Sequence, residues 1–442
     1  MPASDHRGLG SHVLELSEEM SSGLDIFEGV PKDTSILGGK TVIHHLSTAI
    51  NDDTTVFEFI VPSENLDYTY LPLTRLEGEL KITKNDNTAI VQADDVGPVN
   101  LLSGALWRQV ECELNGVQVG DLTSPTYHYK AFLETHLSYG TEAKKGHLRC
   151  ALYEPDTTGQ ENSRAAVNAG FTARKAWITG NNGSIYFSTP VFIDFLDSHR
   201  YLIPGSTLKL RFLKNENSMC FMAGQNNYKI AIRSLNLSTR KLTIHPDIVS
   251  RHQQIIQTRP AIYPIAQSRI KTHGLAQGTL STTLSGIFMG KLPRSCVIGF
   301  VASSAFAGGI ADNPFVFAPY DVSYVSLTVN GLPMPTTVFQ PDFDSYNCVR
   351  EYRHFMDNLG IGHENIGNNI SFADYVSNTA MFSYDFTPDL CNSYHDHPDS
   401  SGAVNLDLRF KTALPHNVTV IIYATYNQQV KIDHAGNVTL EQ

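Results

Sequence analysis

Tyr394-His395-Asp396-His397-Pro398 sets two imidazoles two residues apart, the spacing that puts both on one face of a strand as metal ligands. Such a site also needs a carboxylate a few residues on. The chain continues Asp399-Ser400-Ser401-Gly402, so the spacing fails and the composition is that of an exposed loop, as chance matches to short motifs usually are. His44-His45 has no partner in the sequence and reads as a solvated pair at the start of the first folded unit. Six cysteines, Cys112, Cys150, Cys220, Cys296, Cys348 and Cys391, stand singly; none has the two-residue spacing of half a zinc site, and free buried thiols are the plain reading. Gly360-Ile361-Gly362 closes a helix and does not open one, so it cradles no phosphate. No Gly-x-Ser-x-Gly elbow and no nucleophilic cysteine motif is present. The residues name no catalytic, cofactor-binding or metal-binding group, and the expectation is a protein that is not an enzyme and uses no cofactor.

The elements around these residues are set by composition first. The 442 residues carry a formal net charge of −11, with only 17% charged side chains and 10% aromatic ones. That charge repels a phosphate backbone, and the basic residues do not interleave with aromatics as a nucleic-acid platform requires. Abundant Gly, Pro, Tyr and Phe favour strands and turns over helices. Met1 to Gly10 contains no apolar run that could serve as a signal peptide. Cys296 to Ala311, broken by Ser303, Ser304 and paired glycines, is too short to span a membrane.

Along the chain, residues 1–48 read as an arm: one short stripe of Val13, Leu14, Leu16 and Met20, then turn formers including Gly38 and Gly39. Its apolar groups Leu24, Ile26, Phe27 and Ile36 suggest docking against a partner. Strand-like alternation begins at Val56 and recurs to the carboxyl end. Val110, Cys112 and Leu114 alternate up to Asn115-Gly116, and Val325, Leu327 and Val329 alternate up to Asn330-Gly331; each is a hairpin with a type I′ turn. Each hairpin leads to a helical segment ending at a glycine, Tyr127 to Tyr139 before Gly140 and Tyr346 to Leu359 before Gly360. Pro204 before Leu208–Phe212 and Pro415 before Val418–Tyr423 supply a third echo. The doubled order predicts an all-β fold of two tandem jelly-roll sandwiches with a few short helices: residues 49–250 the first roll, 251–442 the second.

Several blocks resemble the major capsid (hexon) proteins of adintoviruses and the related Polinton, or Maverick, elements. They include Leu24-Asp25-Ile26-Phe27, Phe57-Glu58-Phe59-Ile60-Val61-Pro62 and Pro98-Val99-Asn100. The most recognisable is Tyr127-His128-Tyr129-Lys130-Ala131-Phe132-Leu133-Glu134-Thr135 with Tyr139-Gly140. Leu292-Pro293-Arg294, Asn313-Pro314-Phe315, Gln340-Pro341-Asp342-Phe343, Phe386-Thr387-Pro388-Asp389-Leu390 and Ala413-Leu414-Pro415-His416 carry the likeness to the carboxyl end. Lys32-Asp33 departs from the family's usual second proline, and Thr141 to Ser184 matches least and reads as an elaborated loop.

The resemblance implies a viral double jelly-roll capsid subunit that forms homotrimers of pseudo-hexagonal outline and tiles an icosahedral shell around double-stranded DNA. Its implied partners are neighbouring capsomers, a penton and minor cement proteins, with no strong direct DNA binding and no membrane span. Its implied location is the virion, assembled inside the host cell. Two other readings compete: a vertex (penton) or jelly-roll binding module, and a bicupin-like metal enzyme resting on His395 and His397.

Overall fold

The computed structural model describes residues 33–441 except 64–65, 121–124, 364, 366, 389 and 391–396. Leu24, Ile26, Phe27, Cys391, His395 and Asp396 therefore lie outside the described residues.

Alternating side chains build the first half as two facing antiparallel sheets. The first, in spatial order, is β1 (Ile36–His45), β10 (Tyr228–Ile244), β3 (Asp67–Lys84) and β7 (Ser184–Pro190). The second is β2 (Val56–Val61), β8 (Leu208–Lys214), β5 (Trp107–Leu114) and β6 (Val117–Gln118). A short ribbon of β4 (Val96–Pro98) and β9 (Phe221–Ala223) stands beside them. In the second half one sheet runs β11 (Ala261–Leu275), β18 (Val418–Ile432), β13 (Ser295–Ala302) and β16 (Met381–Asp385), with β19 (Val438–Glu441) also on β18. The other runs β12 (Ser281–Lys291), β17 (Ser401–Phe410), β14 (Val322–Val329) and β15 (Leu332–Phe339). Replacing β1, β2, β3, β5, β6, β7, β8 and β10 by β11 to β18 in turn converts the first pair of orders into the second. The chain is a double jelly roll.

The buried faces are those the alternation marks. Phe57, Phe59 and Val61 of β2 face inward with Leu208, Leu210 and Phe212 of β8. Trp107 packs on both Phe57 and Phe212, at ring separations of 5.6 and 5.0 Å. Each such side chain contributes about 1.5–3 kcal/mol by leaving water; most buried apolar residues of both rolls merge into one cluster, and Tyr68, Leu242, Ile244 and Val249 form a second.

The two Asn-Gly turns are equivalent to the hydrogen bond. Asn115 and Asn330 have φ of 50° and 51°, and the glycines after them 81° and 84°, the left-handed pair that a type I′ turn requires. Asn115 Oδ1 accepts the Thr207 N–H at 2.8 Å, and Asn330 Oδ1 accepts the Ala403 N–H at 3.0 Å. Thr207 leads into β8 and Ala403 lies in its counterpart β17, so the same side chain pins the same neighbouring strand in each roll.

Several sequence expectations change. The proposed arm of residues 1–48 overruns the first roll, because Ile36–His45 pairs residue by residue with β10 as an edge strand. Gly38 and Gly39, read as turn formers, lie within that strand; a Cβ on Gly39 would come within 2.8 Å of Arg240 Nη2, so the bare backbone lets the neighbouring strand's side chain cross it. Pro204 and Pro415 precede β8 and β18, which occupy different places in their rolls, so that echo is a coincidence of turn chemistry. The stretch Thr141 to Ser184 is loop only in its middle: it carries the helix Thr141–Lys145, a 3₁₀ turn at His147–Ala151 and the helix Ala169–Gly180, with irregular chain over 152–168. The predicted helices are present as Tyr127–Ser138 and Val349–Asn358. Gly360 caps the second with φ 77°, whereas Gly140 is extended and precedes the next helix. The strands of the two rolls are joined through a helix, Pro246–Ile255, with Pro246 in its first turn.

Asn115→Ala and Asn330→Ala each remove a strand-pinning acceptor at a left-handed position, a loss of about 1–3 kcal/mol. Asn115 Nδ2 also donates to Gly436 O of the second roll at 2.8 Å, so chemical unfolding of the two variants should show the larger loss for Asn115→Ala. Equal losses would mean that this bond between the rolls contributes nothing.

Candidate functional site

The residues that do most to fix the molecule's working shape lie where the rolls meet. The helix Tyr127–Ser138 leaves the first roll after β6 and inserts against the second, burying Tyr127, His128, Tyr129, Ala131, Phe132, Leu133, Thr135 and Leu137. Phe132 stacks on Phe315 at 4.3 Å with planes 5° apart, and Tyr129 stacks on Phe306 at 5.5 Å. Phe306 and Phe315 come from the connection between β13 and β14. This is the block that carries the strongest family likeness.

One face of that helix carries charge into the seam. Lys130 Nζ binds Asp194 Oδ1 at 2.6 Å and Glu134 Oε1 at 3.7 Å. Ser268 of β11 donates its N–H to Asp194 Oδ2 at 3.1 Å and its hydroxyl to Asp194 Oδ1 at 2.9 Å. Tyr423 of β18 donates to Glu134 Oε1 at 3.1 Å. Burial and the nearby Asp194 and Asp197 push the Glu134 carboxyl up to about 7, with Lys130 opposing. The ammonium of Lys130, penalised by burial, is nevertheless held above its usual range by Asp194 and Glu134. Lys130, Glu134 and Asp194 of the first roll and Ser268 and Tyr423 of the second thus complete a network neither roll can satisfy alone.

The 141–183 stretch forms a second clasp. Lys144 Nζ donates to His136 O at 2.8 Å and to Asn368 O of the second roll at 2.6 Å, while burial draws its ammonium down to about 7. Asn162 Oδ1 accepts the Asn313 N–H at 2.9 Å, Asn378 Nδ2 donates to Glu161, and Thr158 donates to Asp374. Arg174, fully buried, is held by Pro98 O, Glu154 O and Asp156 Oδ1 at 2.8, 2.6 and 2.6 Å. His128 is also buried, and burial lowers its imidazole to about 3, so it is neutral at ordinary pH.

The sequence candidates for chemistry do not assemble. Among the described residues no three His, Cys, Asp or Glu are grouped to hold a metal ion. His397 is half-buried, and its partners in the motif lie outside the described residues. His44 corrects its reading as solvated: it is buried with Nε2 2.9 Å from Thr239 Oγ1, because the alternation of β1 points it inward. His45 points out and meets Asn236 Oδ1 at 2.8 Å. Cys112, Cys220, Cys296 and Cys348 are buried free thiols and Cys150 is exposed. Burial raises the Cys112 and Cys220 thiols to about 12, which makes them inert as nucleophiles. Among the described residues no helix is long and apolar enough to cross a membrane.

The exposed large apolar side chains favour the margins of the sheets. Leu37 and Ile43 lie on β1, Tyr186 on β7, Ile60 on β2, Met289 on β12 and Leu332 on β15, all edge strands. Leu332 is 73% and Met289 76% exposed. Edge strands with apolar side chains are surfaces that association covers.

No family model matches the chain. It is similar to the uncharacterized protein F54H12.2 of Caenorhabditis elegans, 23% identical over 397 residues that span 86% of this chain and 92% of that one. Among solved structures it is similar to a Sputnik virophage chain, with a TM-score of 0.63 at 12% identity over 95% of this chain and 91% of that one. The Faustovirus major capsid protein follows at 0.57, 8% identity and 94% of both chains. The mavirus major capsid protein gives 0.51 and 10% identity over 95% of this chain and 93% of that one. The shared property is the double jelly-roll fold, which in these structures belongs to viral capsid proteins.

Because burial raises Glu134, the folded state binds its proton more tightly than the unfolded chain, and stability contributed at this group is lost as pH rises from about 4.5 through about 7. Glu134→Gln keeps an acceptor for Tyr423 and should flatten that slope, leaving the variant more stable than the wild type at pH 8 and close to it at pH 4.5. Unfolding midpoints across this range check it; a wild-type advantage at pH 8 would reverse the assignment.

Proposed function

We propose that this chain is a viral major capsid protein of the adintovirus and Polinton (Maverick) type, a structural subunit without catalytic activity. Three copies associate as a homotrimer of pseudo-hexagonal outline, and the trimers tile an icosahedral shell around double-stranded DNA. The observation that carries this reading is the strand-for-strand repetition of the sheet order within one chain. Three such chains present six similar sandwiches, so a threefold assembly fills a hexagonal position with one gene product. The apolar edge strands supply surfaces for contacts within and between trimers. A single-roll vertex protein would lack the second roll, and a metal enzyme would need ligands beyond His395 and His397. Penton and minor cement proteins complete the shell, which forms inside the host cell and becomes the virion's outer wall.

The native mass of the purified chain tests the assembly. The subunit is 48.8 kDa, and a species of three times that mass is expected at micromolar concentration; a monomer or pentamer would overturn the reading. The genome should be condensed by a separate basic partner, since the chain's formal charge is −11. Purified trimers should accordingly show only weak binding to duplex DNA, and tight binding that falls steeply with salt would contradict this.

A further inference from the structure

The asparagine of an Asn-Gly turn is a reactive group as well as a conformational one, because the glycine that follows leaves its backbone nitrogen unshielded beside the side-chain amide. The chain has three such pairs, Asn115-Gly116, Asn182-Gly183 and Asn330-Gly331. All three are left-handed, with asparagine φ of 50°, 48° and 51° and glycine φ of 81°, 78° and 84°. With sequence and backbone shared, only their surroundings distinguish them.

Asn115 is half-buried and its amide is engaged at both ends, Oδ1 accepting from Thr207 and Nδ2 donating to Gly436 O across the seam. Past its turn the buried Val119 donates its N–H to Cys112 O at 2.7 Å and closes the hairpin. At the second pair Gly183 is buried against β3: its carbonyl accepts the Ile82 N–H at 2.9 Å, Ile82 O leaves no room for a Cβ on it, and Lys81 Nζ donates to Asn182 O. Asn330 has neither kind of restraint. It and Gly331 are exposed, and among the described residues its side chain makes one hydrogen bond, from the Ala403 N–H at 3.0 Å, with no acceptor for Nδ2. Beyond the turn only Val329 with Leu332, Thr328 with Pro333 and Leu327 with Met334 pair before the register breaks. No residue of β15 before Phe339 is buried, and Pro333 and Pro335 bring no N–H to the ladder.

We propose that Asn330 is a site of spontaneous covalent modification, where water converts the side-chain amide to aspartate and isoaspartate through a cyclic imide. The Gly331 backbone nitrogen gives its proton to hydroxide and attacks Asn330 Cγ, forming the N–Cγ bond. The Cγ–Nδ2 bond then breaks, and the leaving nitrogen takes a proton from water and departs as ammonia. Water adds to either imide carbonyl and that C–N bond opens, so each event consumes one water, releases one ammonia and leaves one carboxylate. Ring closure has to take Cγ off its Ala403 pin, so the rate follows local opening of the β14–β15 hairpin, the least restrained of the three turns. Aspartate keeps an acceptor for Ala403. Isoaspartate lengthens the backbone by a methylene and breaks the left-handed pair on which the hairpin register depends. The modification thus loosens the edge strand that carries the exposed Leu332, whatever the chain assembles into.

The test is incubation of the full-length protein in mildly alkaline heavy-oxygen water, with peptide mapping by mass spectrometry to follow label and isoaspartate at the three pairs over time. In the folded protein Asn330 should convert about tenfold faster than Asn115 or Asn182, the factor that breaking one further well-made hydrogen bond imposes. In urea the three rates should converge. Hydrogen exchange gives a second reading: the Leu332 amide should exchange faster than that of Val117, its counterpart at the Asn115 turn. Equal conversion of Asn330 and Asn115 in the folded protein, an undiminished difference in urea, or slower exchange at Leu332 would overturn the assignment.

Discussion

Placing Lys130 in the seam is the constraint on which the arrangement of the two rolls rests. Burying this ammonium is costly unless carboxylates stand beside it, and two carboxylates beside each other need hydroxyl and amide donors to share the load. Asp194 and Glu134 come from the first roll, and Ser268 and Tyr423 from the second. Sliding one roll past the other by a single strand residue, about 3.3 Å, would carry Ser268 out of reach and leave Asp194 without two of its donors. The stacked pair Phe132 and Phe315 adds apolar area, but a flat ring contact tolerates sliding that the hydrogen bonds do not. The network therefore sets the register between the rolls and the aromatic contact supplies much of the adhesion.

That register has consequences outside the seam. With the rolls locked side by side, the Asn115 turn meets Gly436 at the β18–β19 connection, and the 141–183 stretch can fold down over both halves. The second clasp works by short polar contacts, many to backbone carbonyls, so it depends on positions already fixed elsewhere. A subunit whose halves are held this firmly presents its edge strands in fixed relative positions. Such rigidity suits the capsid reading, in which one pair of rolls must match the same neighbours many times over.

The apolar edges fit the same logic. A jelly roll closes most of its hydrogen bonding within two sheets, yet each sheet keeps two margins with unpaired backbone groups. Leu332 on β15 and Met289 on β12 would be liabilities in a lone monomer.

Much of the architecture was legible from residues alone. The Asn-Gly turns, the period-two alternation and the helices after each hairpin identified a duplicated β fold, because turn chemistry and strand period act over a few residues and leave a local trace. The Pro204 and Pro415 echo misled for the same reason: proline marks the start of a strand and says nothing about which neighbour that strand will have. Gly38 and Gly39 were read as turns because their flexibility is intrinsic, and only pairing with β10 made them part of a strand. The seam was half visible, as Lys130 and Glu134 stand four residues apart on a helix otherwise crowded with apolar groups. Their partners Asp194, Ser268 and Tyr423 lie up to 289 residues from Glu134, a separation that no local pattern encodes. The local code decided that there are two rolls; burial of charges that neither roll can satisfy alone decided how they sit together.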